Sequence, residues 1–249
     1  MKMSALATLT KTEARLFVRD PMSLFWGLAF PAALLAVIGL VFPGAQDPSP
    51  DLGGFRLVDL YAPVALGFAL ATLGISVLPV ILATARERGV LRRLATTPVH
   101  PARMVIAQLL VHLAVAVVAG ILAVAIGVAF LEITMPGNLP GFIVTYLLGA
   151  ASMFGIGLLI GALAPTASSA QGIGLAVYFP LLFFAGVYFP REVMSDGLRT
   201  ISDLTPSGAA VQALGDTWAG NSASGSSLLV MAAFAIVTGL VATRFFKWE

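Results

Sequence analysis

Six long apolar runs dominate the sequence, and they constrain its fold more than any other feature. An apolar run of about 18 residues or more is long enough to cross a bilayer as a helix. The runs are continuous rather than alternating, and a helix satisfies its own backbone in lipid, so helices are predicted. We expect an all-α integral membrane protein, a single domain over residues 1–249, with six transmembrane helices near Met22–Phe42, Leu60–Thr84, Val105–Leu131, Leu139–Leu163, Ala170–Val187 and Ser227–Phe246.

The composition is typical of a chain that is solvated largely by lipid. Hydrophobic residues make up 59% of the sequence and charged residues 10%, whereas soluble domains carry about 25% charged residues. The absence of cysteine excludes disulfides, thiolate nucleophiles and thiolate metal sites. The net charge of +2 gives no nucleic-acid-binding signal. The lipid bilayer is therefore an expected partner, and nucleic acid is not.

Basic residues are concentrated at one end of the predicted bundle. If the N-terminus is cytoplasmic, 11 of the 14 Lys and Arg residues fall in cytoplasmic segments, and only Arg56, Arg191 and Arg199 fall outside. This positive-inside bias, with a composition typical of a GC-rich bacterial genome, predicts a multi-pass protein of the bacterial plasma membrane. Both termini are then cytoplasmic. The first run is longer than the core of a signal peptide, so we expect it to be retained.

The segment ahead of the first run, Ser4–Arg19, is predicted to form an interfacial helix. Its leucines and Phe17 recur at helical spacing on one side, which favours a helix lying in the headgroup layer. Glu13 falls on the apolar side, where it either pairs with a basic residue of the next cytoplasmic loop or faces water. The residues assigned to this helix surface are Lys11, Glu13, Arg15 and Arg19.

The loop before the last run, residues 188–226, is too patterned to be a plain connection. Apolar residues recur at helical spacing over Arg191–Leu204, and a break at Thr205–Pro206 precedes a second helical stretch, Ser207–Trp218. We expect two short extracellular helices, re-entrant or lying on the outer surface, over approximately residues 191–218.

The sequence contains no recognisable catalytic motif. His100 and His112 have no partner at metal-ligand spacing, and no lysine stands in a P-loop. His112 is expected to be a buried polar group that bonds a neighbouring helix. The interiors of the runs lack acidic and basic residues, which disfavours ion-coupled transport and membrane-embedded catalysis. We expect a non-catalytic chain that receives energy from a partner; an ATP-independent channel or secondary transporter is the alternative.

The cytoplasmic loop between the second and third runs is the segment richest in chemistry. Its leucines share one helical face, its charges occupy others, and Pro98 should end the helix. A rigid charged helix of approximately residues 86–97 suits transmission of force from a soluble partner, but it also suits adhesion to anionic lipid. The residues assigned to coupling are Arg86, Glu87, Arg88, Gly89, Leu91, Arg92, Arg93 and Leu94.

This loop resembles the E-R-G-[TV]-L-R-x-L-x-x-x-P pattern of ABC-2-type transporter permeases, here Glu87 to Pro98. The stretch Glu13–Pro21 is similar to the family's amphipathic approach to its first span. The stretch Gly186–Pro190, with the helices that follow it, is similar to the family's extracellular re-entrant helices. Ser207-Gly208 departs from the bulkier residues that are frequent there, which leaves the packing of the second outer helix open.

The resemblance implies a membrane subunit of an exporter, closest to the daunorubicin-resistance type. Two permease chains would pair with two ABC ATPase subunits, and ATP and Mg would be bound by the ATPases and not by this chain. The loop would be the coupling helix. An amphiphilic drug or lipid is the implied substrate, with a polysaccharide as the alternative. The pathway residues implied by the fifth span are Tyr178, Phe179, Phe183 and Phe184.

Overall fold

A computed structural model describes residues 5–52, 54–90, 93, 100 and 102–245 of the chain. Six of its helices are long and apolar enough to cross a membrane, as the sequence predicts. A short helix precedes them, and two more lie between the fifth and the sixth. In chain order the helices are α1 (Ala5–Val18), α2 (Pro21–Val41), α3 (Leu57–Glu87), α4 (Ala102–Leu131), α5 (Leu139–Leu163), α6 (Ala167–Phe184), α7 (Asp196–Leu204), α8 (Pro206–Trp218) and α9 (Gly225–Phe245).

The predicted and observed bounds differ by three residues at each end of α3 and of α6, and the difference at α3 affects the assigned coupling residues. This helix begins three residues earlier than expected, which places Asp59 in its first turn, and it continues through Glu87. The chain then turns at Arg88 and Gly89, and the φ of Gly89 is +67°, a left-handed conformation that suits glycine. Arg86 and Glu87 therefore belong to the last turn of α3, and any separate coupling helix begins after Gly89.

The centre of the bundle is α3, which is the most enclosed of the six long helices. A π-helical segment, Thr72–Val77, interrupts it just before Pro79. Pro79 has no N–H for the carbonyl of Ile75, and the N–H of Leu78 donates to Leu73 instead of Gly74. The carbonyls of Gly74 and Ile75 thus lose the partners that a regular α-helix would give them.

These two carbonyls face glycines of the neighbouring helices. A Cβ atom built on Gly157 of α5 would lie 1.8 Å from the Gly74 oxygen, and one built on Gly174 of α6 would lie 2.8 Å from the Ile75 oxygen. Only hydrogen atoms on the glycine Cα fit in such gaps, so α3 approaches both helices closely. The π-helical segment is therefore the point at which α3, α5 and α6 meet.

A hydrogen bond between side chains adds to this junction. The hydroxyls of Thr72 and Tyr178 are 2.7 Å apart, and Thr72 also donates to the Phe68 carbonyl at 2.8 Å. Tyr178 is 8% exposed. Burial of two hydroxyls in a membrane core requires that each has a partner, which these contacts provide.

Replacing Tyr178 with phenylalanine should lower the free energy of unfolding by about 1 kcal/mol, because one buried hydrogen bond is lost while Thr72 keeps Phe68 as its acceptor. Thermal melting in detergent should show a fall of roughly 2–4 °C. Tyr188→Phe is the matched control, since Tyr188 is exposed and should tolerate the same change. Equal melting temperatures for the two variants would refute the contribution of this bond.

The two short helices expected before the last span are present as α7 and α8. The guanidinium of Arg191 contacts Asp203 and donates to the Ser202 hydroxyl at 2.9 Å. Ser207, at the start of α8, donates to the Leu181 carbonyl at 2.7 Å. Gly208 is packed against Ser202. The small Ser207-Gly208 pair thus lets α8 lie close to α6 and α7. This is the packing of the second outer helix that the sequence left open.

Candidate functional site

The end of the bundle that holds α1, the last turn of α3 and the turn between α5 and α6 is called the basic end below. Arg86 points across it, away from open solvent. One of its guanidinium nitrogens contacts the carbonyl of Ala164, and the other is 3.4 Å from the carbonyl of Ala162. Ala164 directly follows α5, so the cation lies where the last carbonyls of that helix lack partners of their own.

Glu87 points toward the start of the next helix. Its Oε1 accepts a hydrogen bond of 3.1 Å from the N–H of Ala167, the first residue of α6. Thr166 caps the same helix through a reciprocal pair of hydrogen bonds with Ser169. Two consecutive residues of α3 therefore straddle the short turn between α5 and α6.

The charges match the ends of the helices that they contact. A cation is stabilised at a helix C-terminus and an anion at a helix N-terminus, because the backbone dipoles add along the axis. Arg86 at the end of α5 and Glu87 at the start of α6 satisfy both preferences at once. We call these two residues, with the Ala164–Ala167 turn, the α3 clamp.

The other residues assigned to coupling lie beyond the clamp. Arg88 is exposed, and Arg93 is exposed with its N–H bonded to the Gly89 carbonyl at 3.1 Å. Leu91, Arg92 and Leu94 lie outside the described residues. The assignment of the loop to a soluble partner stays a prediction for all of these residues.

The interfacial helix α1 packs on α4 near the basic end. Lys11, Arg15 and Arg19 are exposed, as expected for a surface that faces headgroups or water. Phe17 is buried against the bundle, whereas Leu16 on the apolar side is 56% exposed.

Glu13 finds a partner that the sequence analysis did not identify. The amide Nε2 of Gln108, on α4, donates to Glu13 Oε2 at 2.5 Å. Among the described residues, its hydrogen-bond partner is therefore this amide, whereas a basic residue of the next loop or water was expected. The sequence does contain a signal for this contact. Gln108 and His112 are polar residues at positions i and i+4 of an otherwise apolar run, which places them on one face of the helix. Burial raises the pKa of Glu13 above its ordinary value, and the hydrogen bond from Gln108 opposes that change.

His112 is fully buried one turn further along α4. Its Nδ1 lies 2.8 Å from the carbonyl of Gln108, so its partner is in its own helix and not in a neighbouring one, contrary to expectation. The ring meets Phe17 and Phe154 edge to face. Its Nε2 has no hydrogen-bond partner in the described part of the chain. His112 thus packs between α1, α4 and α5 as a mostly apolar side chain.

The pH dependence of α1 docking should follow Glu13. Because burial raises its pKa, docking is favoured while Glu13 is protonated, and stability is lost as the pH rises from 4.5 through the raised pKa. Glu13→Gln should abolish this loss and stabilise the protein at neutral pH. Melting curves at pH 4.5 and pH 8 measure the effect, with the exposed Glu132→Gln as the control. A pH dependence that persists in Glu13→Gln would contradict this assignment.

The four aromatic residues proposed for a pathway have different surroundings. Tyr178 packs inside the chain against α3, whereas Phe179 is 53% exposed, and the two rings contact each other at 5.8 Å between centroids. Phe183 and Phe184 are partly buried and contact each other at 5.3 Å between ring centroids. The four rings thus form two contacting pairs, Tyr178 with Phe179 and Phe183 with Phe184, and of the four only Phe179 is on an open surface.

Among the concavities of the described part of the chain, two lie toward the end opposite the basic one. An apolar groove of about 650 Å³ runs between α4 and α5, with Tyr146 and Phe142 among its walls. A smaller one of about 470 Å³ includes Asp59, Gln212 and Asp216 beside α3 and α8. In the part of the chain described, no three His, Asp or Glu side chains are grouped as metal ligands would be.

Comparison with known proteins adds to this geometry. The sequence model of the family described as "ABC-2 type transporter" matches residues 4–217. The "Probable multidrug ABC transporter permease YbhR" of Escherichia coli strain K12 is 29% identical over 169 residues, which cover 67% of this chain and 44% of that protein. YbhR of Escherichia coli O157:H7 has the same identity and coverage. The match thus spans less than half the length of these curated relatives.

Proposed function

Because the chain belongs to the ABC-2 type transporter family, we propose that it is the membrane-spanning permease subunit of a bacterial ABC exporter. The family resemblance drawn from the loop motif is thereby confirmed, and with it the expectation of a non-catalytic membrane chain. The proposal adds a direction, outward transport, and an energy source, ATP hydrolysed by a separate ATPase subunit. Under this proposal the basic end faces the cytoplasm and both termini lie there.

The observation that carries the proposal is the construction of the basic end. An exposed basic turn at Arg88 and Gly89 follows directly on α3, the central helix of the bundle. Force applied to this turn would enter the protein at its most enclosed helix. The chain has no P-loop lysine of its own, which agrees with an ATP-binding site on a partner. We expect the complete transporter to contain two copies of that ATPase, each binding ATP and Mg.

A second permease chain is the other proposed partner. Large apolar residues are exposed on α2 and α6, the first and fifth spans, among them Phe25, Trp26 and Phe179. A lipid-exposed face is normal for a membrane protein, but aromatic surfaces on these two spans also suit contact with a second permease, either a copy of this chain or a different one. A pathway between two chains would then run along this face.

The proposed cargo is an amphiphilic molecule such as a drug, an antibiotic or a lipid. The relative from Escherichia coli is described as a probable multidrug permease, which supports this class. The exposed aromatic side chain of Phe179 on α6 suits a substrate with an apolar body. Export of a lipid-linked glycan is the alternative, and a hydrophilic pathway between the two permeases would favour it.

Co-purification tests the proposed partnership. The tagged chain, expressed together with the ABC ATPase proposed as its partner and extracted in detergent, should elute with that ATPase and with ATP hydrolysis activity. Arg88→Ala should weaken the association, whereas Arg103→Ala, which also removes an exposed cation at the basic end, should not. If the chain elutes alone and moves solute across liposomes without ATP, it is a channel or secondary transporter, and the proposal is wrong.

A further inference from the structure

We infer that Arg86 and Glu87 are positioning residues, which fasten the end of α3 to the α5–α6 turn so that these elements move as one unit. This inference rests on the proposed function and refines it. The two residues were assigned to contact with the ATPase on sequence grounds. Their side chains instead contact backbone groups of their own chain at Ala164 and Ala167. Contact with a partner is left to the exposed residues after them.

The electrostatics of the clamp explain why both residues are charged. Arg86 supplies donors to carbonyls at the end of α5, and Glu87 supplies an acceptor to an N–H at the start of α6. Each bond has a charged partner and is therefore stronger than a bond between neutral groups. The two residues form no ion pair with each other among the described contacts. Exchanging their charges would place each against the wrong helix end.

The clamp lies at the end of a longer contact between α3 and the same neighbours. That contact begins at the π-helical segment, where Gly74 and Ile75 meet Gly157 of α5 and Gly174 of α6, and it continues through Ala83, which packs with Ala164 and Ala170. The clamp adds charged, directional hydrogen bonds at the very end of α3, beyond Pro79. Displacement of the basic turn is then passed to α5 and α6 and is not absorbed by bending at the π-helical segment.

The inference predicts uncoupling without loss of assembly. The chain contains no cysteine, so a bimane fluorophore at Ile173→Cys, an exposed position of α6, reports on α6 alone when the chain is labelled before the ATPase is added. In the complex with the ATPase, ATP should change bimane emission in the unmodified background and in the charge control Arg103→Gln. In R86Q/E87Q that change should fall at least about fivefold, the lower end of ordinary coupling between sites. Association and ATP hydrolysis should persist.

A second measurement tests the clamp on the chain alone. Spin labels at Arg88→Cys and Ser168→Cys, both exposed positions on either side of the clamp, should give a narrow distance distribution. R86Q/E87Q should broaden this distance distribution. Arg86→Lys, which keeps the charge but loses the paired donors of the guanidinium, should give an intermediate width. The exchange R86E/E87R should not restore the narrow distribution. Size-exclusion profiles establish that each variant is folded.

The outcomes separate the inference from the function on which it rests. If the unmodified chain neither binds an ATPase nor responds to ATP, the proposed function fails, and the spin-label distances alone decide on the clamp. If the unmodified chain responds and R86Q/E87Q responds equally, or if its spin-label distribution is unchanged, the clamp inference is overturned. Loss of ATPase association in R86Q/E87Q would also overturn it, because the residues would then serve the partner interface.

Discussion

Replacing Gly157 with alanine is expected to lower the free energy of unfolding by about 3 kcal/mol, at the upper end of the range for overpacked cores. The added Cβ would lie 1.8 Å from the carbonyl oxygen of Gly74 and 2.9 Å from its carbonyl carbon. The obstacle is backbone, which cannot rotate aside as a side chain does. α3 and α5 would have to separate at the π-helical segment. The melting temperature in detergent should fall by roughly 6–12 °C.

Gly239→Ala provides the matched control for this prediction. Gly239 lies in α9, another long helix, and a Cβ there would meet no atom within 4 Å. The same chemical change should therefore be neutral or slightly stabilising, because alanine favours the helix over glycine. If Gly157→Ala melts at the temperature of the unmodified protein, the close approach of α3 and α5 is not a feature of the folded chain.

Gly208→Ala should have the second-largest effect, a loss of about 2–3 kcal/mol. Its added Cβ would lie 2.2 Å from the carbonyl oxygen of Ser202 and 2.3 Å from the hydroxyl oxygen of the same residue. That hydroxyl donates to Phe184 at 2.6 Å and accepts from Arg191. Displacing Ser202 would break both bonds, so the connection from α6 through α7 to α8 would loosen. Thermal melting and protease digestion of the segment measure the effect.

The control for Gly208 is Gly197→Ala in the adjacent helix α7. No atom lies within 4 Å of a Cβ at Gly197, so this variant should keep its melting temperature and its resistance to protease. Protection of the α7–α8 segment in Gly208→Ala equal to that in Gly197→Ala would contradict the packing described here.

The six membrane-spanning helices follow from the sequence because their signal is strong and local. A run of about 18 apolar residues has few alternatives in lipid, whatever surrounds it. The bounds of α5, Leu139–Leu163, match the prediction at both ends, because Pro140 and the Ala164–Pro165 step punctuate the run. The end of α3 was predicted less well. Because Arg86 and Glu87 are charged, the sequence predicted that they begin a separate loop helix. In the structure their backbone instead continues the helix of the second span.

The junction of α3, α5 and α6 could not be read from the sequence. Gly74, Gly157 and Gly174 are three of 25 glycines in the chain. Pro79 signals that α3 is irregular, but it does not say which helix faces the freed carbonyls. That pairing depends on how the helices are arranged in three dimensions. Without it, nothing in the order of residues distinguishes these glycines from Gly172 or Gly239, beside which there is open space.

The partners of the charged residues were also beyond local reasoning. Glu13 was expected to seek a cation or water, and its observed partner is the neutral amide of Gln108. Arg86 and Glu87 were expected to face a soluble partner, and the groups that they contact are backbone atoms, which leave no trace in a sequence. Charge indicates that a residue requires a polar neighbour. It does not indicate which one the fold supplies.

ATP-dependent transport tests the central claim most directly. The chain and its ATPase should be reconstituted in proteoliposomes with the basic end outward, and the uptake of daunorubicin, an amphiphilic fluorescent probe, should be followed with and without ATP. The account predicts that uptake requires both the ATPase and hydrolysable ATP. Uptake at the same rate by the chain alone, without ATP, would contradict it.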